Sequence, residues 1–117
     1  MQYQAIKLNQ KSVYSLGESV EISFIIQDEI GQILTDLSIF AFEGKLSSGS
    51  DGVTLLGESG DNYFSISGAK LTVNIPNADT LGLSDNVEYR LEIRAALNNK
   101  YYYLGQFEIW FKESLLD

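Results

Sequence analysis

Two glutamates four residues apart, Glu88 and Glu92, are the nearest this chain comes to a catalytic carboxylate pair. Such a pair hydrolyses a glycosidic bond when one carboxyl protonates the leaving oxygen and the other attacks or activates water, at separations of roughly 5–9.5 Å. Glu88 and Glu92 lie in an alternating segment, however, and on a strand residues four apart are about 13 Å from each other. Arg90 and Arg94 interleave with them, so the pattern reads as solvated cross-strand charge. Asp51, Glu58 and Asp61 lie in Gly/Ser-rich stretches and could meet around calcium. "SDGVT" and "ESGDN" lack the ligand rhythm of a calcium loop, and ordinary turn chemistry explains Asp, Asn, Ser and Gly there. "SLGES" has one glycine and no lysine, unlike a phosphate loop.

The totals point the same way. The chain has no histidine and no cysteine, which removes the nucleophilic triads, the commonest general base, the commonest zinc ligand and any disulfide. The expectation is a protein without enzymatic activity, transition metal or cofactor. A net charge of −8 argues against nucleic acid and anionic membrane as partners, since both require a basic footprint. The opening "MQYQAIKLNQKSVY" has no basic stretch followed by an apolar core, and no run reaches membrane-spanning length. Synthesis in the cytoplasm is therefore expected. With 117 residues, 44% of them hydrophobic, residues 1–117 form one domain large enough to bury a core unaided.

The elements that position these residues are strands. Val20, Ile22, Phe24 and Ile26 share one face of residues 18–27; Leu71, Val73 and Ile75 share one face of 70–75. In 87–97, Val87, Tyr89, Leu91, Ile93, Ala95 and Leu97 alternate with Glu88, Arg90, Glu92 and Arg94. A period of two is the mark of a half-buried strand. Shorter strands are expected at 3–8, 38–46 and 62–67, with turns at 28–31, 47–52, 58–62, 68 and 98–100. One short helical turn is expected within 77–85. About seven strands at this spacing predict an all-β, antiparallel β-sandwich.

The last hairpin holds the most aromatic stretch, "LNNKYYYLGQFEIWF" at 97–111. Unbroken pairing across a two-residue turn at Asn98 and Asn99 sets Leu91 beside Gln106 and mixes polar with apolar residues inside. A three-residue loop at 98–100 sets Leu91 beside Phe107, Arg90 beside Glu108 and Ala95 beside Tyr103, so face matching favours it. That register predicts Tyr101 and Tyr103 in the core. It puts Tyr102, Leu104 and Trp110 on the outward face, where three large residues on one strand form either a contact patch or a surface covered by the chain itself. Glu88, Arg90 and Glu108 supply the polar rim of that candidate protein interface.

The order of parts resembles a family of immunoglobulin-like β-sandwich modules from tailed-bacteriophage virions, those that begin baseplate upper proteins and related tail- or fibre-attachment proteins. The residues that carry it are "SLGESVEISFIIQDEIGQILTDLS" at 15–38, "LTVNIPNADTLGL" at 71–83, "VEYRLEIRA" at 87–95 and "YYLGQFEIW" at 102–110. Gly17 with Glu18, Asp28 with Gly31, Asp36 with Leu37, Pro76 with Asp79, Thr80 and Leu83, Tyr89 with Ile93, and Gly105 with Ile109 match its pattern. The resemblance implies a non-enzymatic structural protein that docks tail, baseplate or fibre components by protein–protein contact. Its partners would be other virion proteins, with self-association into a homo-oligomer also open. Its location would be the virion, as an N-terminal domain or a short adaptor. The rival reading of the same aromatic face is a carbohydrate-binding module, because sugars stack on exposed Tyr and Trp.

Overall fold

The computed structural model describes residues 2–48, 63–84 and 87–113. Eight strands are present among them: β1 Tyr3–Lys7, β2 Val13–Ser15, β3 Val20–Asp28, β4 Ala41–Ser47, β5 Phe64–Ser67, β6 Lys70–Ile75, β7 Glu88–Leu97 and β8 Lys100–Lys112. One sheet has the order β1-β3-β6-β5 and the other β2-β8-β7-β4. All pairings are antiparallel except that of β2 with the end of β8, which is parallel. Assigning the sandwich letters A and A′ to β1 and β2, and B to G to the strands that follow, gives sheets ABED and A′GFC. That is the strand arrangement of immunoglobulin domains, with the first strand split between the sheets. The fold is an immunoglobulin-like β-sandwich.

The alternating residues of the sequence form its core. Val20, Ile22, Phe24 and Ile26 of β3, Leu71, Val73 and Ile75 of β6, and Tyr89, Leu91, Ile93 and Ala95 of β7 are all buried. Phe42 and Leu46 of β4, in the same sheet as β7, complete the layer that meets β3 and β6. Tyr89 also ties the end of the sandwich. Its phenol oxygen accepts the backbone N–H of Ser84 at 2.8 Å, which is the tyrosine corner of this architecture. Leu91, two residues on, stands where antibody domains carry their second cysteine, so packing takes the place of the inter-sheet disulfide.

Three departures from the expected elements have local causes. β4 begins at Ala41 rather than 38 because Leu37–Ile39 form a 3₁₀ turn, capped by the Asp36 carboxylate, which accepts the Ser38 N–H. The turn expected within 77–85 is the four-residue helix α1, Asn77–Thr80. β2 was not expected at all, since three residues are too few to show a period. It forms because the chain crosses between sheets after Lys7. Leu8 N–H donates to the Ser23 carbonyl at 2.8 Å, and the Ser12 carbonyl accepts the Trp110 N–H at 2.8 Å. The Lys7 ammonium spans the crossing by donating to the Lys11 carbonyl at 2.8 Å, and its burial pulls its pKa below the ordinary lysine value. Of the turn expected at 47–52, Ser47 ends β4 and residues 49–52 lie outside the described residues, as does the turn expected at 58–62, and with them Asp51, Glu58 and Asp61.

Candidate docking face

The β7–β8 hairpin decides which aromatics meet solvent. Asn98 and Asn99 have φ of 52° and 65°, the paired left-handed residues of a two-residue turn whose twist suits a hairpin. From that turn the pairing runs Ala96 with Tyr101, Ala95 with Tyr102 and Arg94 with Tyr103. It then shifts, and continues as Ile93 with Gly105, Leu91 with Phe107, Arg90 with Glu108 and Tyr89 with Ile109. The lower register is the one expected from face matching. The three-residue loop is not present. An extra residue at Leu104 and Gly105 reconciles a two-residue turn with the Leu91–Phe107 pairing, as a β-bulge does. Gly105 has φ of 154°, and a Cβ there would stand 3.0 Å from Cζ of Phe107.

The bulge reverses the facing of every residue between it and the turn. Tyr101 and Tyr103, expected in the core, point outward and are 62% and 56% exposed. Leu104, expected on the outward face, is buried in the core at 2% exposure. Tyr102, also expected outward, is half-buried and packs edge-on against Tyr3 at 5.0 Å between ring centres. The N-terminal strand thus covers Tyr102 and leaves Trp110 open. Trp110 lies below the bulge, faces outward as expected, and is 37% exposed. It sits between Glu88 of β7 and Val13 of β2. Glu88, Arg90 and Glu108 are on the same outward face, with Arg90 opposite Glu108.

The face therefore runs in rows across β4, β7 and β8. Ala41, Ala96 and Tyr101 form the row nearest the turn, followed by Glu43, Arg94 and Tyr103, then Lys45, Glu92 and Gln106. The Arg94 guanidinium pairs with the Glu43 carboxylate and lies over the Tyr101 ring, 4.1 Å from its centre. Arg90 Nε approaches Glu88 Oε1 of its own strand at 3.5 Å, a long contact that leaves this buried oxygen without a hydrogen bond. Gln106 leans on Glu92, Nε2 to Oε1 3.5 Å. A shallow groove crosses the lower part of the face, lined by Ser47, Val87, Glu88, Arg90, Glu92 and Gln106.

The charge is distributed unevenly. The strands of this sheet direct four cations outward (Lys45, Arg90, Arg94, Lys112) and four anions (Glu43, Glu88, Glu92, Glu108). The face is formally neutral, so the whole −8 of the chain is carried elsewhere. Glu88 and Glu92 remain two rows apart on one strand, with no geometry for concerted acid–base work. No three His, Cys, Asp or Glu converge on a possible metal position among the described residues. What the face offers is flat aromatic area, an oriented guanidinium and compensated charge. Exposed aromatic rings and guanidinium groups are enriched at protein interfaces.

No family model matches the sequence, and no curated protein matches it. Among solved structures, one of murine CRIg is similar at 17% identity and a TM-score of 0.43, over 97% of this chain and 99% of that one. The strand order itself carries the assignment of the fold.

Two sequence features mark the bulge and the turn. Gly105 interrupts a strand, which commonly marks a bulge, and two consecutive asparagines suit a two-residue turn of left-handed residues. Each was compatible with straight pairing when taken alone.

Proposed function

We propose that this chain is a non-enzymatic structural module of a tailed-bacteriophage virion, docking tail, baseplate or fibre components through the outward face of the β2-β8-β7-β4 sheet. The virion setting rests on the sequence resemblance. The observation that carries the docking role is the exposure of Tyr101 and Tyr103 beside Arg94, with Trp110 three rows further along the same face, on a neutral face of a strongly acidic protein. Tyr, Trp and Arg dominate interface hot spots because they bring large, rigid contact area. The charged rows around them select the partner and orient it more than they add affinity.

Immobilised protein challenged with the dissociated components of the virion that carries it tests this reading. Tyr103→Ala and Trp110→Ala should each weaken capture by about 2 kcal/mol, the hot-spot scale, without changing the melting temperature of the isolated chain by more than a few degrees. Capture unchanged in both variants would refute the face. Retention on a bacterial surface polysaccharide, lost in the same variants, would replace this reading with the carbohydrate-binding one.

A further inference from the structure

We infer that the docked partner supplies an extended strand, which pairs with the open edge of β8 and widens the β2-β8-β7-β4 sheet. The inference rests on the docking reading and states what form the partner takes. β8 is paired with β7 from Lys100 to Trp110, but on its other side β2 covers only the last three of its 13 residues. The crossing of the chain between sheets is the cause. As far as Lys7 the first strand bonds to β3 of the opposite sheet, and the chain reaches β8 only from Ser12 onward. The position in line with β2, beside residues 100–109, therefore holds no strand among the described residues. The outer edges of β1, β5 and β4 are shorter, at five, four and seven residues.

The direction of the backbone fixes which groups are free. The Trp110 N–H donates to the Ser12 carbonyl at 2.8 Å, and the Lys112 carbonyl accepts the Leu16 N–H at 2.8 Å. Residues 110 and 112 thus turn their backbone groups toward β2. Successive residues of a strand turn them to opposite sides, so Gln106 and Glu108 turn theirs to the open edge and Phe107 and Ile109 bond to β7. The bulge moves the alternation by one residue, and above it Tyr101 and Tyr103 face the edge. A row of unpaired N–H and C=O groups at this spacing is matched by another extended backbone. A helix offers no such match, because its own backbone groups are bonded internally.

The inner side of the same edge is incompletely filled. Tyr102 and Phe107 of β8 and Tyr3 of β1 face into the sandwich, with Tyr102 against Tyr3 and Phe107 against Phe24. All three are only partly buried, whereas Leu91, paired with Phe107 one strand further in, is fully buried. A strand added beside β8 would send alternate side chains over these rings and the others outward beside Tyr101 and Tyr103. The partner segment this slot fits is extended, with apolar residues at every second position. Its backbone supplies the affinity and the aromatic rings select its side chains.

Amide hydrogen exchange, combined with capture of the dissociated virion components, tests the added strand. In the isolated chain the N–H groups of Gln106 and Glu108 should exchange fast and those of Phe107 and Ile109 slowly; in the complex all four should be protected. Glu108→Pro removes an open-side N–H and sets a ring where the added strand would lie, while sparing the bonds to β7. It should weaken capture about tenfold or more, and Glu108→Ala, which keeps the N–H, should weaken it much less. Circular dichroism checks folding, and exchange in the wild-type complex decides the matter if Glu108→Pro does not fold. Slow exchange at Gln106 and Glu108 in the isolated chain, no added protection on binding, or equal capture by the two Glu108 variants would overturn the inference. So would protection that rises with the concentration of the isolated chain, which would make a second copy the occupant of the edge. Capture lost in Tyr103→Ala with no protection at the edge would overturn the strand and leave the docking face standing. Capture unchanged in Tyr103→Ala and Glu108→Pro alike would remove both.

Discussion

Replacing Gly105 by alanine separates a bulged hairpin from a straight one by the sign of the effect. In a regularly paired strand the added methyl restricts the unfolded chain and stabilises the native state by about 0.4–1 kcal/mol. At Gly105 two costs oppose that gain. The residue has φ of 154°, a conformation L side chains rarely adopt, and holding alanine there costs about 1–3 kcal/mol. The new Cβ would also lie 3.0 Å and 3.2 Å from two atoms of the Phe107 ring, well inside the ~3.5–4.0 Å of a favourable carbon contact. Phe107 has little freedom to yield, because its ring packs against Phe24 with centres 4.8 Å apart. Overpacking of this kind costs about 1–3 kcal/mol. The net expectation is a loss of about 2–4 kcal/mol, which for a domain of this size lowers the melting temperature by roughly 8–15 °C. Thermal and urea unfolding of dilute protein followed by circular dichroism measures it. An unchanged or raised midpoint would mean that Gly105 sits in ordinary strand geometry, and the assignment of Tyr101 and Tyr103 to the outward face would fail with it.

Two further outcomes follow from the same geometry. Leu104→Ala should cost about 2–5 kcal/mol as a truncation in the core, whereas Tyr103→Ala, with its ring outside, should cost under about 1 kcal/mol; paired urea titrations that reverse this order would contradict the bulge. Glu18 gives a small acid-sensitive contribution. The Lys11 ammonium and the Ser15 N–H both bond its carboxylate and hold its pKa below the usual glutamate value. The stability from this depressed pKa is fully present above the unfolded-state value and is lost as pH falls through the folded one, and its exposure limits it to under about 1 kcal/mol. Glu18→Gln should therefore lower stability at neutral pH and match wild type at the acid end of a pH series; an equal deficit at both ends would mean the carboxylate charge plays no part.

The sandwich was legible because burial and backbone geometry impose the same period of two on long strands. Leu91 and Ile93 could face only inward once Arg90, Glu92 and Arg94 faced out, and their register with Phe107 followed. β2 was not legible, because its pairing with the end of β8 is set by where the chain crosses between sheets, and its three residues carry no pattern of their own. The upper hairpin failed for a different reason. Tyrosine has an apolar ring and a polar tip and is tolerated on either face, so residues 101–103 offered no penalty for facing the wrong way. Leucine does carry one, and Leu104 was the residue whose outward placement conflicted with its chemistry.

That conflict links the fold to the proposed contact. Holding Leu91 against Phe107 fixes the lower half of β8, and the turn at Asn98 and Asn99 fixes its upper end. The residue left over must bulge, and it bulges where Leu104 can drop into the core and Gly105 can take a backbone conformation that L side chains rarely adopt. Burying Leu104 is worth about 2 kcal/mol on the area scale, and outward placement of two tyrosines forfeits little. The outcome sets Tyr101 under the Arg94 guanidinium and Tyr103 in the next row, with both rings presented to solvent. A single inserted residue thus brings two tyrosine rings out beside a guanidinium that the three-residue loop would have left facing solvent without them.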